Sequence, residues 1–332
     1  MRKFDFITIG GATRDIFFKT DGDWILKTLD PTRERMMCFE YGAKVIPRDV
    51  HFSFGGGALN TAISFARLGL KASTIISLGC DETADAILEN LKKERVEVGL
   101  AVSKGLHRTG VSVIIVDRKG DHTAILYRGT NDKLNIVNWD FFKKTQWVYL
   151  SSLTGESEKI LPRFSREAKK HNKTKLAWNP GYYQIKAGYQ KLKNLLLQTD
   201  VFIVNKDEAT ELVLSKDKNC NLKDVKSLIL EIEKWGPKIV LITDGANGAY
   251  AFDGKKIYEA QAVKTKVMDT TGAGDSFGSS FVAGLELSGS IEKSLALASI
   301  NASSVVSHIG AQNGLLPLNK IKNLKKVKVK LR

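Results

Sequence analysis

The chain reads as an α/β protein, with a three-layer α/β/α core around a mainly parallel central sheet and a small β-sheet lid. Three observations predict this. From Trp147 onward, short apolar runs alternate with stretches of helical periodicity, as βα units of a parallel sheet do. Residues 16–52 and 105–131 instead hold short strand-like runs parted by turn residues, as antiparallel strands do. Polar and glycine residues gather where the runs end, the side on which open α/β sheets hold ligands. The expected division is therefore a discontinuous core (1–15, 53–104 and 132–320), a lid from the two insertions, and a basic tail at 321–332.

In order, Phe4–Gly11 is a β-rich run ended by glycines, with Asp15 placed just beyond the strand. Trp24–Leu26, Met36–Phe39 and Val50–Phe54 are short strand-like pieces. Gly55–Gly57 leads into a helix with Leu59, Ala62, Ile63, Phe65 and Ala66 on its buried face and Gly69 at its end. Ala72–Gly79 is a strand and Asp81–Glu94 a helix. Thr109–Tyr127 reads as a hairpin turning at Arg118–Asp121. Strands at Trp147–Ser151, Lys175–Asn179, Val201–Asn205 and Lys238–Thr243 alternate with helices at Glu158–His171, Tyr189–Gln198, Lys206–Leu214 and Leu222–Trp235.

Composition narrows the class. With 332 residues, 43% hydrophobic and 26% charged, the chain can bury a large core. Cys38, Cys80 and Cys220 are odd in number and scattered, which argues for reduced thiols and a cytoplasmic setting over a disulfide framework. The five histidines are isolated, with no zinc-ligand spacing. No apolar run approaches the ~20 residues a membrane span needs. The net charge of +15 lies partly in Lys320–Arg332, where basic and apolar residues alternate. No aromatic residue interleaves there to stack bases, which favours a solvated edge over a nucleic-acid surface.

Asp269–Gly284 carries the chemistry. Gly272 and Gly274 lead into a helix whose Phe277, Phe281, Val282 and Leu285 share one face. Its first amides lack internal partners and carry partial positive charge, so they form a ready anion site. Asp275 sits at that same end, where an acid without a task would compete with the anion. Two common phosphate motifs fail: Gly105–Gly110 lacks the Walker lysine, and Gly272–Gly278 misses the dinucleotide spacing by one residue.

Two signatures in this order decide between the remaining possibilities. Gly55-Gly56-x-x-x-Asn60-x-Ala62-x-x-x-x-x-Leu68-Gly69 and Asp269-Thr270-x-Gly272-Ala273-Gly274-Asp275 both resemble those of the ribokinase-like, or PfkB, family of sugar and nucleoside kinases. Gly10-x-x-x-x-Asp15, Thr109-Gly110, Asn205-x-x-Glu208 and Thr243-x-Gly245-x-x-Gly248 agree with it, and the likeness spans about Ile7 to Gly314.

The resemblance implies an ATP- and Mg²⁺-dependent transfer of a phosphoryl group to a hydroxyl of a sugar. Asp275 would be the base, and Gly272, Ala273 and Gly274 the anion hole. A helix N-terminus lowers a carboxylate's pKa, so Asp275 is expected to be ionised and weakly basic, mainly orienting the nucleophile. Asp15, Gly56, Gly57, Asn60 and Asn179 would hold the acceptor. Asn205 and Glu208 would hold Mg²⁺ through water, with Thr243, Gly245 and Gly248 beside the nucleotide. Asp269, Thr271, Val305, His308, Gly310 and Gly314 fall where relatives hold a monovalent cation, here K⁺.

Gly57 stands where phosphosugar kinases and ribokinase usually have lysine, and Thr13 where ribokinase has asparagine. These departures speak against ribose and phosphorylated sugars. With Gly57 leaving room for a bulkier acceptor, an adenosine-like nucleoside is the alternative, and a catalytically silent binding protein a further one. The lid is a candidate homodimer surface.

Overall fold

In a computed structural model the described residues are all but 1, 22–23, 28–34, 105–106, 118–121, 219, 221, 223, 322–326 and 332. The strands are β1 (Phe4–Ile9), β2 (Thr13–Lys19), β3 (Trp24–Lys27), β4 (Arg35–Cys38), β5 (Asp49–Gly55), β6 (Ala72–Leu78), β7 (Glu97–Lys104) and β8 (Gly110–Val116). They continue as β9 (His122–Tyr127), β10 (Thr145–Leu150), β11 (Lys175–Trp178), β12 (Val201–Asn205), β13 (Ile239–Thr243), β14 (Ala249–Phe252), β15 (Ile257–Ala260) and β16 (Val329–Leu331). The helices are α1 (Gly57–Arg67), α2 (Glu82–Lys93), α3 (Phe141–Lys144), α4 (Leu161–Lys170) and α5 (Tyr182–Ala187). They end with α6 (Tyr189–Leu196), α7 (Lys206–Lys216), α8 (Val225–Glu233), α9 (Ala273–Ser288) and α10 (Ile291–Val306).

The central sheet has ten strands in the order β16-β15-β14-β13-β12-β11-β10-β1-β6-β7. From β7 across to β13 neighbours run parallel, and β14 to β16 close the far edge antiparallel. Alternation along each strand sends its side chains into two cores. Val148, Leu150, Phe202 and Val204 pack under α3 to α8. Trp147, Tyr149, Val201 and Ile203 pack against α9 and α10, so the sheet is buried on both faces.

The lid is a four-stranded sheet, β5-β2-β8-β9, with β3 and β4 as a separate two-stranded ribbon. β2 pairs antiparallel with β5 and parallel with β8, so two insertions build one sheet. Sequence periodicity missed β2, and Asp15 lies inside that strand, not just beyond β1. The expected turn at 118–121 lies outside the described residues. β7, β14, β15, α5 and α10 were also not foreseen; β14 and β15 have only four residues each, too few to show a period.

The basic tail becomes an edge strand. β16 pairs with β15, and Val327 is buried against the α9/α10 core. Deleting residues 327–332 should lower unfolding free energy by about 2 kcal/mol, the worth of one buried valine and its strand contacts, measured by urea titration. The first turns of α9 pack against β10 and β12, four or more strands away from β16, so any chemistry at that helix end should survive. Among the described residues no helix is long and apolar enough to cross a membrane, and Cys38, Cys80 and Cys220 are free.

Candidate active site

Two glycine stretches far apart in sequence meet at one carboxylate. α9 begins at Ala273, with Gly272 as its N-cap in the left-handed region (φ 76°) and Asp275 in its first turn. From α1, Asn60 Nδ2 donates to Asp275 Oδ2 at 2.8 Å. A side chain at Gly57 would bring its Cβ to 3.4 Å from Asp275 Oδ1. Gly56 makes the approach of α1 possible: at φ 95° its Cβ would stand 2.5 Å from the Gly11 carbonyl oxygen.

The amides at α9's start differ from one another. Ala273 N–H is already bonded to Thr270 O at 3.2 Å, and Ser276 N–H to Gly272 O at 2.9 Å. The amides of Gly272, Gly274 and Asp275 make no backbone hydrogen bond among the described residues. Space beside Gly274 is open to 4 Å. The cradle is thus formed by Gly272, Gly274 and Asp275 more than by Ala273, which the turn consumes. Amides unpaired at a helix start beside open space suit a phosphate.

Burial raises the Asp275 carboxyl above the ordinary carboxylate range, and the Asn60 hydrogen bond opposes that shift. The expected depression is therefore reversed. The helix end does favour the anion, but packing removes part of its water, with the residue still half-buried rather than sealed, and desolvation is the larger effect. A base of raised pKa takes a proton from a hydroxyl more readily than a weak one. Tyr149 lies below, fully buried, with its hydroxyl unpartnered and 2.5 Å from where a Gly278 Cβ would stand. Its pKa is pushed well up, first by burial and then by the charge of Asp275.

The acceptor side is mixed. Asp15 is 4% exposed, accepts from Thr13 Oγ1 at 3.2 Å, and is raised in pKa by burial. Hydrogen bonds from Ser112 and Thr13 lower it, while the charge of Asp269 raises it further. Asn60 is partly engaged: one Nδ2 hydrogen serves Asp275, and Oδ1 accepts from Gln312 Nε2 at 3.0 Å. Asn179 Nδ2 donates to Ile203 O at 2.9 Å, tying strand ends together. Nor does Gly57 leave an empty space. Ser151, just past β10, fills it, with Cβ and Oγ both 2.8 Å from the Gly57 Cβ position. Ser151 Oγ itself donates to Ile9 O at 2.9 Å.

On the nucleotide side, Asn205 and Thr243 are register partners at the C-terminal ends of β12 and β13. Gly245 and Gly248, both with positive φ, shape the β13–β14 hairpin beside them. Asn205 and Glu208 cap each other, Oδ1 accepting from Glu208 N–H and Oε2 from Asn205 N–H, both at 2.9 Å. Burial raises the Glu208 carboxyl. The cap uses the amide oxygen of Asn205 and one oxygen of Glu208.

The expected K⁺ residues do come together, but they bond to one another. Asp269 Oδ1 accepts from Thr271 N–H (2.9 Å) and Oγ1 (2.7 Å), and Oδ2 accepts from Gly310 N–H (2.8 Å). Val305 O accepts from His308 N–H at 3.0 Å, and Gly314 packs against Val305 and Ser304. These bonds hold the Asp269 carboxylate in place; the backbone carbonyls through which K⁺ is expected to bind have two lone pairs each, so the bonds neither fill nor exclude such a site. Among the described residues no group of three or more His, Cys, Asp and Glu could hold a metal.

Sequence reasoning missed Gln312, Tyr149 and Ser151. A polar residue at a strand's end pointed to Ser151; nothing local marks the other two.

Residues 25–318 match the model of the pfkB family carbohydrate kinases. The chain is 28% identical over 301 residues to the ribokinase of Lactococcus lactis, covering 87% of this chain and 92% of that one. Its fold is similar to Arabidopsis thaliana ribokinase solved with ribose and ATP (TM-score 0.79, 21% identity, 98% and 99% of the two chains). It is also similar to the Methanocaldococcus jannaschii nucleoside kinase (TM-score 0.73, 20% identity, 98% and 100%).

Proposed function

Because the chain belongs to the PfkB family of carbohydrate kinases, we propose that it moves the γ-phosphoryl group of ATP to a hydroxyl of a sugar. One observation carries the assignment of roles: Asp275, held by Asn60, stands in the mouth of a helix start whose amides are unpaired. The acceptor hydroxyl lies against Asp275, which orients it and takes its proton as the new P–O bond forms. The amides of Gly272, Gly274 and Asp275 stabilise charge on the transferred group. Asp15 holds acceptor hydroxyls from the lid, with the backbone at Gly56 and Gly57 opposite and Asn179 at the edge. Asn205, Glu208, Thr243, Gly245 and Gly248 line the nucleotide side. Asn205 and Glu208 are the residues that would hold Mg²⁺ brought with the nucleotide, and the ion would supply charge neutralisation for the phosphates.

A nucleoside acceptor is the second reading. The chain has no lysine at position 57 to meet a phosphosugar, and Ser151 supplies a hydroxyl there instead. An ATP-consumption screen over pentoses, hexoses, phosphosugars and nucleosides, with and without K⁺, separates these readings. Silence across that panel with ATP still bound would favour a binding protein.

The lid's outer face supports self-association. Cross-strand partners share a face, so Val50 and Phe52 of β5, Ile16 and Phe18 of β2, Val113 of β8 and Ile125 of β9 form one apolar patch. Phe52 is 56% and Ile125 61% exposed, more apolar surface than an isolated lid needs. The double variant Phe52→Asp, Ile125→Glu is expected to sediment as a monomer where the parent sediments as a dimer. A parent that is already monomeric would refute this.

A further inference from the structure

We infer that Gln312 is a positioning residue for Asp275, acting through the amide of Asn60; the inference rests on Asp275 being the base. An asparagine amide has two unlike ends, and a carboxylate can only accept. Asn60 therefore serves Asp275 only with Nδ2 turned toward it; turned round, its Oδ1 would face the carboxylate and repel the charge. What holds the productive orientation is Gln312, whose Nε2 donates to Asn60 Oδ1 at 3.0 Å. Gln312 is oriented in turn by Asn90, whose Nδ2 donates to Gln312 Oε1 at 3.1 Å. Three amides, from α2, the loop after α10, and α1, thus donate in one direction and end on Asp275. Asn60 and Gln312 are 4% and 5% exposed, so the bond between them is shielded from water, and hydrogen bonds linked head to tail in a low-dielectric setting strengthen one another.

The backbone of Gln312 is clamped as firmly as its side chain. Arg67 Nη1 donates to Gln312 O at 2.7 Å and to Leu315 O at 2.9 Å. Its other nitrogens make a bidentate pair with Glu94, at 2.9 and 2.6 Å. The same loop touches the lid, where Asn313 Nδ2 lies 3.2 Å from His51 Nε2 and the Gly310 backbone packs on Ser53. It also holds Asp269 through the Gly310 amide. The loop at 310–315 therefore joins the lid, the Asp269 loop and the base. Among the described residues, the charged and titratable groups that face this loop and these amides include Tyr149, facing Asp275 from β10, the Arg67–Glu94 ion pair, Asp269 and His51.

The test is the pH profile. Gln312→Glu keeps the shape but offers only acceptors, so Asn60 turns its Nδ2 to position 312 and its Oδ1 to Asp275. The ionised base loses its donor, and the acid limb of kcat/KM should move up by about one pH unit. The value of kcat should fall about tenfold or more, with KM for ATP unchanged. Gln312→Met removes the amide without adding charge and should shift the limb the same way by less, which covers the case in which a buried glutamate unfolds the protein. Variants that lower the melting temperature yet keep the parent's acid limb would overturn the inference. Asp275→Asn measured alongside separates the layers. If it is inactive and the limb does not move, the positioning role alone is wrong; if it is active, the assignment of the base fails as well.

Discussion

Asn at position 275 is expected to abolish phosphotransfer, lowering kcat about a thousandfold or more, while ATP still binds. The substitution preserves shape and can still accept the Asn60 amide, so the loss reports the base and not a collapsed site. With Asp275 as the proposed base, activity in the parent depends on the ionised carboxylate. Since burial raises its pKa, activity should fall as pH drops through a value above 3.8, the ordinary one for aspartate. In Asp275→Asn that limb disappears from any residual activity. Stability should move the other way. The folded protein binds this proton more tightly than the unfolded chain, so keeping Asp275 ionised costs stability at every pH above its raised pKa. Asparagine removes that cost, and the melting temperature at neutral pH should rise in the inactive variant. A variant that melts lower at neutral pH and retains phosphotransfer would contradict both parts.

The second large effect concerns Gly272. Its φ of 76° is strained for any residue with a Cβ, and that Cβ would stand 2.7 Å from the Ala311 Cα. Gly272→Ala should therefore cost about 3 kcal/mol of stability, from strain and displaced backbone together. It should also push α9's first amides away from the loop at 310–315. Donors that no longer aim at the transferred group lose their value, and kcat should fall about a hundredfold at a temperature where the variant is still folded. Gly274→Ala is the matched comparison. Its Cβ would meet no other atom within 4 Å, so stability should hardly change while a phosphate meets new bulk. If the two variants lost stability equally, the packing argument at Gly272 would be wrong.

Much of this was legible in the chain because it is local. Alternation of apolar runs and helical stretches marks βα units, and strand ends at Asn179, Asn205 and Thr243 can be read off directly. Asp275 could be singled out because a carboxylate in the first turn after Gly272 and Gly274 is a conspicuous arrangement. β2 was not legible: Thr13–Lys19 mixes charge with apolar residues, because its inner face meets the site and its outer face the lid's surface.

Other properties belong to contacts between distant segments. The helix dipole predicts a lowered Asp275, but the water it loses depends on α1 and β10 closing over it, and no local pattern records that. Gly57 reads as room for a ligand until Ser151 is seen to occupy the space. Asn60 reads as a ligand-binding amide, and only the structure shows that it also links Asp275 to Gln312. The sequence by itself determined the fold class, the family signatures and the identity of the central carboxylate, since each follows from residues near one another. Only the tertiary structure decided the direction in which that carboxylate's pKa moves, the orientation of its amide partner and the filling of the glycine gap. Desolvation, hydrogen-bond direction and excluded volume are set by what arrives from elsewhere in the chain.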